Sequence, residues 1–179
     1  MVYLFLADGF ETIEALAVVD MLRRAKIDVC TVGVTGKTVM SSHNIPVTAD
    51  ITVDEFKPEN LDAVVLPGGM PGTLNLEANG TVQQTIDYAF DNNKFVCAIC
   101  AAPSILGHKG LLKGREAICF PGFEDSLTGA VISEKYVVTD GKFITARGAG
   151  VAVDFGLEIV KQLAGAELSQ KIRETIQCQ

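Results

Sequence analysis

The chain has no tryptophan, only two histidines, and five cysteines that are odd in number and irregularly spaced. An odd, scattered set of thiols does not make a disulfide framework. His43 and His108, with Cys97-Ala98-Ile99-Cys100 as the one closely spaced thiol pair, leave too few ligands for a structural zinc site. Basic charge is also short. Fifteen Lys and Arg stand against 22 Asp and Glu, a net charge of −7, and without a basic stripe to neutralise phosphates this argues against nucleic acid as the main partner. No apolar run approaches the ~20 residues of a membrane span. The stretch Met1 to Asp8 has neither a basic region nor an apolar run long enough for a signal peptide. No repeat, linker or low-complexity segment interrupts the chain. What remains is an ordinary globular composition, 48% hydrophobic and 21% charged over 179 residues. That is enough for one domain, 1–179, with a core of its own, and a cytoplasmic, reducing location is expected.

Strand and helix patterns alternate along the sequence. Val2–Ala7, Ile27–Val34, Asp62–Leu66 and Phe95–Ile99 are short apolar runs of the kind that form buried parallel strands. Between and after them, Glu11–Ala25, Thr81–Asn92, the segment from Ala101 to Leu106, Val151–Ala164 and Glu167–Ile176 carry helical periodicity. The first of these helices ends in Arg23-Arg24, the right charge for a helix C-terminus. Gly36–Asp50 looks like short strands around turns. Asp140-Gly141, between Tyr136–Thr139 and Lys142–Thr145, is the strongest hairpin signal. Repeated βα units imply a mostly parallel α/β sheet with helices on both faces, and ligands of such sheets bind beyond the carboxyl ends of the strands.

Three segments follow such ends: Asp8–Glu14, Pro67–Gly72 and Cys100-Ala101. Cys100 sits at a strand-to-helix turn with Pro103 in the first helical turn, where unpaired N–H groups and the positive end of a helix dipole favour thiolate over thiol. A packed core thiol is the competing reading, since cysteine is among the most buried residue types. Gly68-Gly69 and Ala101 offer backbone N–H groups to a developing oxyanion, although Pro-Gly-Gly also serves as a plain strand-ending turn. Glu14 falls in the first turns of its helix. There it either complements the dipole or, held close to a cysteine, moves a proton.

Other motifs do not survive inspection. Cys97 and Cys100 have redox-motif spacing, but residues three apart along a strand point to opposite faces. Gly36-Lys37-Thr38 lacks the glycine five positions earlier that a phosphate-binding loop needs, since that position is Thr31. Neither histidine follows a strand end, so no Cys-His-Asp set is evident, and His108 is expected to face solvent or the sheet.

Taken together, Ala7-Asp8-Gly9-Phe10-Glu11-Thr12-Ile13-Glu14, Val64 to Gly69, Ala98 to Pro103 and Thr145 to Gly150 resemble the ThiJ/PfpI superfamily. Within it the likeness is to the deglycase branch associated with parkinsonism and its bacterial relatives, and it runs from Val2 to about Ile176. The resemblance implies a flavodoxin-like three-layer sandwich, usually a homodimer, with Cys100 as nucleophile and Glu14 as its carboxyl partner. It also implies an oxyanion site at the amides of Gly69 and Ala101, and a pocket bordered by Gly68, Phe120, Arg147 and Gly148.

Two departures narrow the activity. Protease-like members have a histidine after the nucleophile; here Ala101 stands there, so the base for amide cleavage is missing. Some deglycase-branch members have a histidine before the proline of Cys119-Phe120-Pro121, where this chain has Phe120. His43 matches a place where some relatives carry a basic residue near the pocket. The expectation is a glyoxalase or deglycase that needs no metal, nucleotide or glutathione and acts on a small reactive carbonyl. The alternative is a redox-responsive stress protein or chaperone in which Cys100 is the oxidisable thiol.

Overall fold

The computed structural model describes residues 1–178. Eleven strands and six helices follow in the order β1 (Val2–Leu6), α1 (Thr12–Arg24), β2 (Val29–Gly33), β3 (Thr38–Met40), β4 (Pro46–Thr48), β5 (Ile51–Thr52), β6 (Ala63–Leu66), α2 (Gly72–Ala78), α3 (Gly80–Asp91), β7 (Phe95–Ile99), α4 (Pro103–His108), β8 (Glu116–Ala117), β9 (Val131–Ile132), β10 (Val137–Asp140), β11 (Phe143–Ala146), α5 (Ala152–Ala164) and α6 (Ala166–Thr175). The main sheet has the order β10-β11-β7-β6-β1-β2-β5 and is parallel except for edge strand β10.

The continuous apolar runs of β1, β6 and β7 are buried throughout, as strands covered on both faces must be. Alternate residues feed two cores. Leu4, Leu6, Val65, Cys97 and Ile99 join the side chains of α1, α5 and α6, while Phe5, Val64, Leu66, Val96 and Ala98 join those of α3 and α4 on the other face. This is the α/β sandwich the βα alternation predicts. The Asp140-Gly141 signal also holds: β10 and β11 pair antiparallel with Asp140 opposite Phe143, and Gly141 takes a positive φ of 59° in the turn.

Two features escape the sequence pattern. Helix α2 has only seven residues and starts straight after Pro71, too short to show an apolar period. Strands β8 and β9 have two residues each and pair only with one another. Cys97 and Cys100 differ from expectation in another way: both touch the α1–α5 core cluster rather than opposite faces. Cys100 lies one residue past β7 with φ of +64°, so strand alternation no longer governs its side chain. Both remain free thiols.

Candidate active site

Chain order crosses over at β1. The chain goes from β1 outward to β2 on one side, then returns through β6 and β7 on the other. Such a switch opens a crevice at the strand carboxyl ends, and the chain emerging from β1, β6, β7 and β11 fills it. From β1 comes the Asp8–Glu11 turn, which packs backbone to backbone on the segment after β6. The Glu11 N–H donates to the Gly68 carbonyl at 2.9 Å. A side chain on Gly69 would begin 2.5 Å from the Glu11 nitrogen and from the Gly9 oxygen, and Gly69 itself has φ of +91°. Only glycine fits both demands. A Gly69→Ala variant is expected to lose on the order of 4 kcal/mol, strain and overpacking combined, as measured by denaturant titration.

This contact fixes Glu14. Glu11 caps α1 by accepting the Glu14 N–H at 2.8 Å, which sets Glu14 in the first turn with its side chain turned inward. Glu14 is fully buried, and its Oε2 accepts the Gly68 N–H at 2.9 Å. Its Oε1 is buried without a hydrogen-bond partner. The Cys100 thiol and the Ala149 N–H are near enough to favour the carboxylate electrostatically, yet neither satisfies that oxygen.

Cys100 is held as firmly. Its N–H donates to the Ala146 carbonyl of β11 at 2.9 Å, and its carbonyl accepts the Phe120 N–H at 2.8 Å. A left-handed φ at a non-glycine residue is strained and persists only where its surroundings dictate it. Here the two flanking hydrogen bonds do so, and the turn presents a half-buried thiol above the sheet, as a nucleophile elbow does. The Ala101 and Gly69 N–H groups are directed at the sulfur and stabilise negative charge there. The structure thus brings together Cys100, Glu14, Gly68, Gly69 and Ala101.

The protonation state departs from expectation. Burial, and next the facing Glu14 carboxyl, push the Cys100 thiol up from 9 to about 12. The dipole does not secure a thiolate, because α4 has only six residues and no side-chain cap, and desolvation outweighs it. Glu14 is itself pushed up, from 4.5 to about 7, by burial first and by the Glu11 charge in addition; the nearby Cys100 thiol and the Gly68 hydrogen bond pull it down. Two adjacent groups of this kind titrate as a pair. Between those values the pair holds one proton, so a thiolate arises only as Glu14 takes the proton.

The remaining predicted residues form a wall beside the pair. Phe120, Arg147 and Gly148 line a cavity of about 430 Å3 together with Pro121, Tyr136, Ala149 and Val151. A side chain on Gly148 would begin 3.2 Å from the Phe120 ring and 4.0 Å from Glu14 Oε1, so this glycine is where cavity and carboxyl meet. Tyr136 is the largest of the lining residues that the sequence did not single out, beside Pro121 and Val151. Its only signal is its place at the start of the hairpin, and the hairpin brings it over: the Arg147 N–H donates to the Tyr136 carbonyl at 2.9 Å, and the guanidinium lies 5.3 Å from the ring centre. His43 is exposed on the β3–β4 turn and is not among the cavity's lining residues. His108 is exposed and paired with Glu77 at 2.6 Å. Among the described residues no cluster of His, Cys, Asp and Glu is arranged to hold a metal, and no helix is long and apolar enough to cross a membrane.

Comparison with known proteins agrees with this architecture. The model of the DJ-1/PfpI family matches residues 1–162. The chain belongs to that family. Protein DJ-1 homolog B of Arabidopsis thaliana is 35% identical over 164 residues, which cover 90% of this chain and 37% of the relative, so the chain spans little more than a third of that protein. A cysteine-to-alanine variant of a DJ-1 superfamily protein from Salmonella typhimurium superposes with a TM-score of 0.93 at 38% identity, covering 98% of this chain and 96% of the other. An oxidised DJ-1 from Toxoplasma gondii does so with a TM-score of 0.94 at 30% identity, covering 98% and 96%. The family match spans the residues from Glu14 to Gly148 that form the candidate site.

Proposed function

We propose that this DJ-1/PfpI protein is a cysteine-dependent, glutathione-independent glyoxalase or deglycase acting on α-oxoaldehydes or their early adducts. The observation that carries the reading is the buried Glu14 carboxyl, held by the Gly68 N–H and left with one unpartnered oxygen beside Cys100. With its affinity for protons moved to about 7, such a group both accepts and returns a proton at neutral pH.

The steps follow from that pair. As the Cys100 sulfur adds to the aldehyde carbon, Glu14 takes the thiol proton. The carbonyl electrons move onto oxygen, where the Gly69 and Ala101 amides hold the charge, and Glu14 returns the proton to give a hemithioacetal. The Glu14 carboxylate then removes the proton from the former aldehyde carbon and delivers it to the neighbouring carbonyl carbon, while the hemithioacetal hydroxyl proton passes to that carbonyl's oxygen, leaving a thioester of a 2-hydroxy acid. Water cleaves the thioester and restores the thiol. One carbon is oxidised and its neighbour reduced, so no external oxidant or reductant enters. Peptidase activity is not part of the reading, because Ala101 replaces the base it needs. A homodimer in a reducing cytoplasm belongs to the same proposal; Ile13, 55% exposed on α1, offers apolar surface for a second copy.

The test is loss of methylglyoxal with stoichiometric appearance of lactate, without glutathione, using Cys100→Ser as the blank. The pH dependence carries a sign. Below about 7 Glu14 is protonated and the pair holds two protons, so no base is available. The value of kcat/KM is expected to rise tenfold per pH unit up to about 7 and then level off. A profile flat across that range refutes Glu14 as the base.

A second reading rests on the same half-exposed thiol, and the T. gondii relative was solved as an oxidised protein. Here Cys100 is the oxidisable group of a stress-responsive protein or chaperone, and Glu14 bonds the oxidised sulfur. It requires that mild peroxide, followed by mass spectrometry, convert Cys100 alone and that the oxidised protein gain an activity. Oxidation that only abolishes turnover favours the enzyme.

A further inference from the structure

Phe120 and Tyr136 are large rings left 46% and 59% exposed, and both line the cavity beside the Cys100–Glu14 pair. Exposed apolar side chains grouped around a concavity mark a binding surface. Neither is loose. Phe120 is tied through its N–H to the Cys100 carbonyl, and Tyr136 is tied to Arg147 through the backbone and through the guanidinium beside its ring. Pro121 and Val151 add carbon to the wall, which presents almost no polar surface besides Arg147.

The cavity is far larger than the smallest α-oxoaldehyde. Methylglyoxal fills roughly three water volumes, about 90 Å3 at about 30 Å3 each, against about 430 Å3 here. A three-carbon substrate bonded to Cys100 is too small to cover both rings. A substrate with an apolar ring-sized group beyond its ketone covers them and displaces that water, a gain that the transition state shares.

From these observations we infer that the preferred substrate of this site is an α-oxoaldehyde carrying an aromatic or similarly bulky apolar substituent, with Phe120 and Tyr136 as the specificity-determining walls. The inference rests on the glyoxalase reading of Cys100 and Glu14 and adds the substituent. The reaction is unchanged: phenylglyoxal and one water give mandelate, the aldehyde carbon being oxidised and the ketone carbon reduced.

The experiment compares kcat/KM for phenylglyoxal and methylglyoxal in wild type, Phe120→Ala, Tyr136→Ala and Tyr136→Phe, with circular dichroism to confirm folding. Wild type is expected to prefer phenylglyoxal by about tenfold or more, since even a single methylene in an apolar pocket is worth about 10–200-fold. The ratio should fall about fivefold or more in each alanine variant and return in Tyr136→Phe, which keeps the ring. If methylglyoxal is used as well or better, or the ratio ignores both rings, the inference is overturned while Cys100-dependent turnover still upholds the glyoxalase reading. If wild type turns over neither compound, the glyoxalase reading fails and the inference falls with it.

Discussion

Replacing Glu14 by glutamine is expected to yield a protein that is nearly inactive and, in alkaline solution, more stable than the wild type. The carboxyl is fully buried and its proton affinity is raised to about 7 from an ordinary 4.5. A carboxyl raised on folding stabilises the protein fully below the unfolded value; the contribution is lost as pH climbs through the folded one. The gap is worth about 3 kcal/mol above neutrality, at about 1.4 kcal/mol per unit. Glutamine keeps an oxygen for the Gly68 N–H that now bonds Oε2 and carries no charge to desolvate. The variant should therefore match wild type at about pH 5 and exceed it at about pH 9, by about 6–12 °C in Tm at about 2–4 °C per kcal/mol for a domain of this size. Turnover should fall by about 10²–10⁴, the usual worth of a positioned acid–base group. Thermal unfolding at the two pH values, read beside kcat, decides the matter. A Tm difference that does not change with pH means folding leaves the proton affinity of Glu14 at its ordinary value, and full turnover removes it from the chemistry.

That opposition between stability and activity explains how far the sequence alone could lead. The buried strands were legible because β1, β6 and β7 are unbroken apolar runs, and the hairpin because Asp140-Gly141 admits little else. Glu14 was legible only as an acid early in a helix. Nothing in its neighbours says that it points inward; that follows from the backbone contact of Gly9–Glu11 with Gly68-Gly69, which joins segments more than fifty residues apart. The thiol's protonation was misjudged for the same reason. A helix start is a local feature and visible in sequence, whereas the burial and the facing carboxyl that overrule it are made by three separate strand ends. Tyr136 was invisible because an exposed aromatic at a hairpin start carries no signature until Arg147 is seen beside it. Locally encoded features were readable, then, and those produced by the convergence of strand ends were not.

The glycine at position 68 is where that convergence is tightest, and Gly68→Ala should disable the site with little damage to the fold. Its backbone is not in the left-handed region, so alanine brings no dihedral strain. Space is the difficulty. The added carbon would begin 2.7 Å from Cys100 Cβ, 2.7 Å from Glu14 Oε2 and 3.0 Å from the Ile99 oxygen. Gly68 cannot slide away, because its N–H is bonded to Glu14 and its carbonyl to the Glu11 N–H. Cys100 is pinned by Ala146 and Phe120, so the carboxyl end of Glu14 gives first and the Cys100 Cβ contact is left as strain at the elbow. A stability loss of about 1–3 kcal/mol is expected for overpacking of this kind. Turnover should drop about a hundredfold, as a displacement of about 1 Å commonly costs. The pH profile separates this from general damage. The Gly68 N–H is one of the bonds that hold Glu14 down toward its ordinary value, so weakening it should move the rising limb of kcat/KM above the wild-type midpoint. Gly80→Ala is the control: at the start of α3, with nothing within 4 Å of an added carbon, it should leave the profile alone. A Gly68→Ala enzyme with wild-type rate and limb would mean that the carboxyl and thiol need not touch, and the shared-proton chemistry would have to be abandoned.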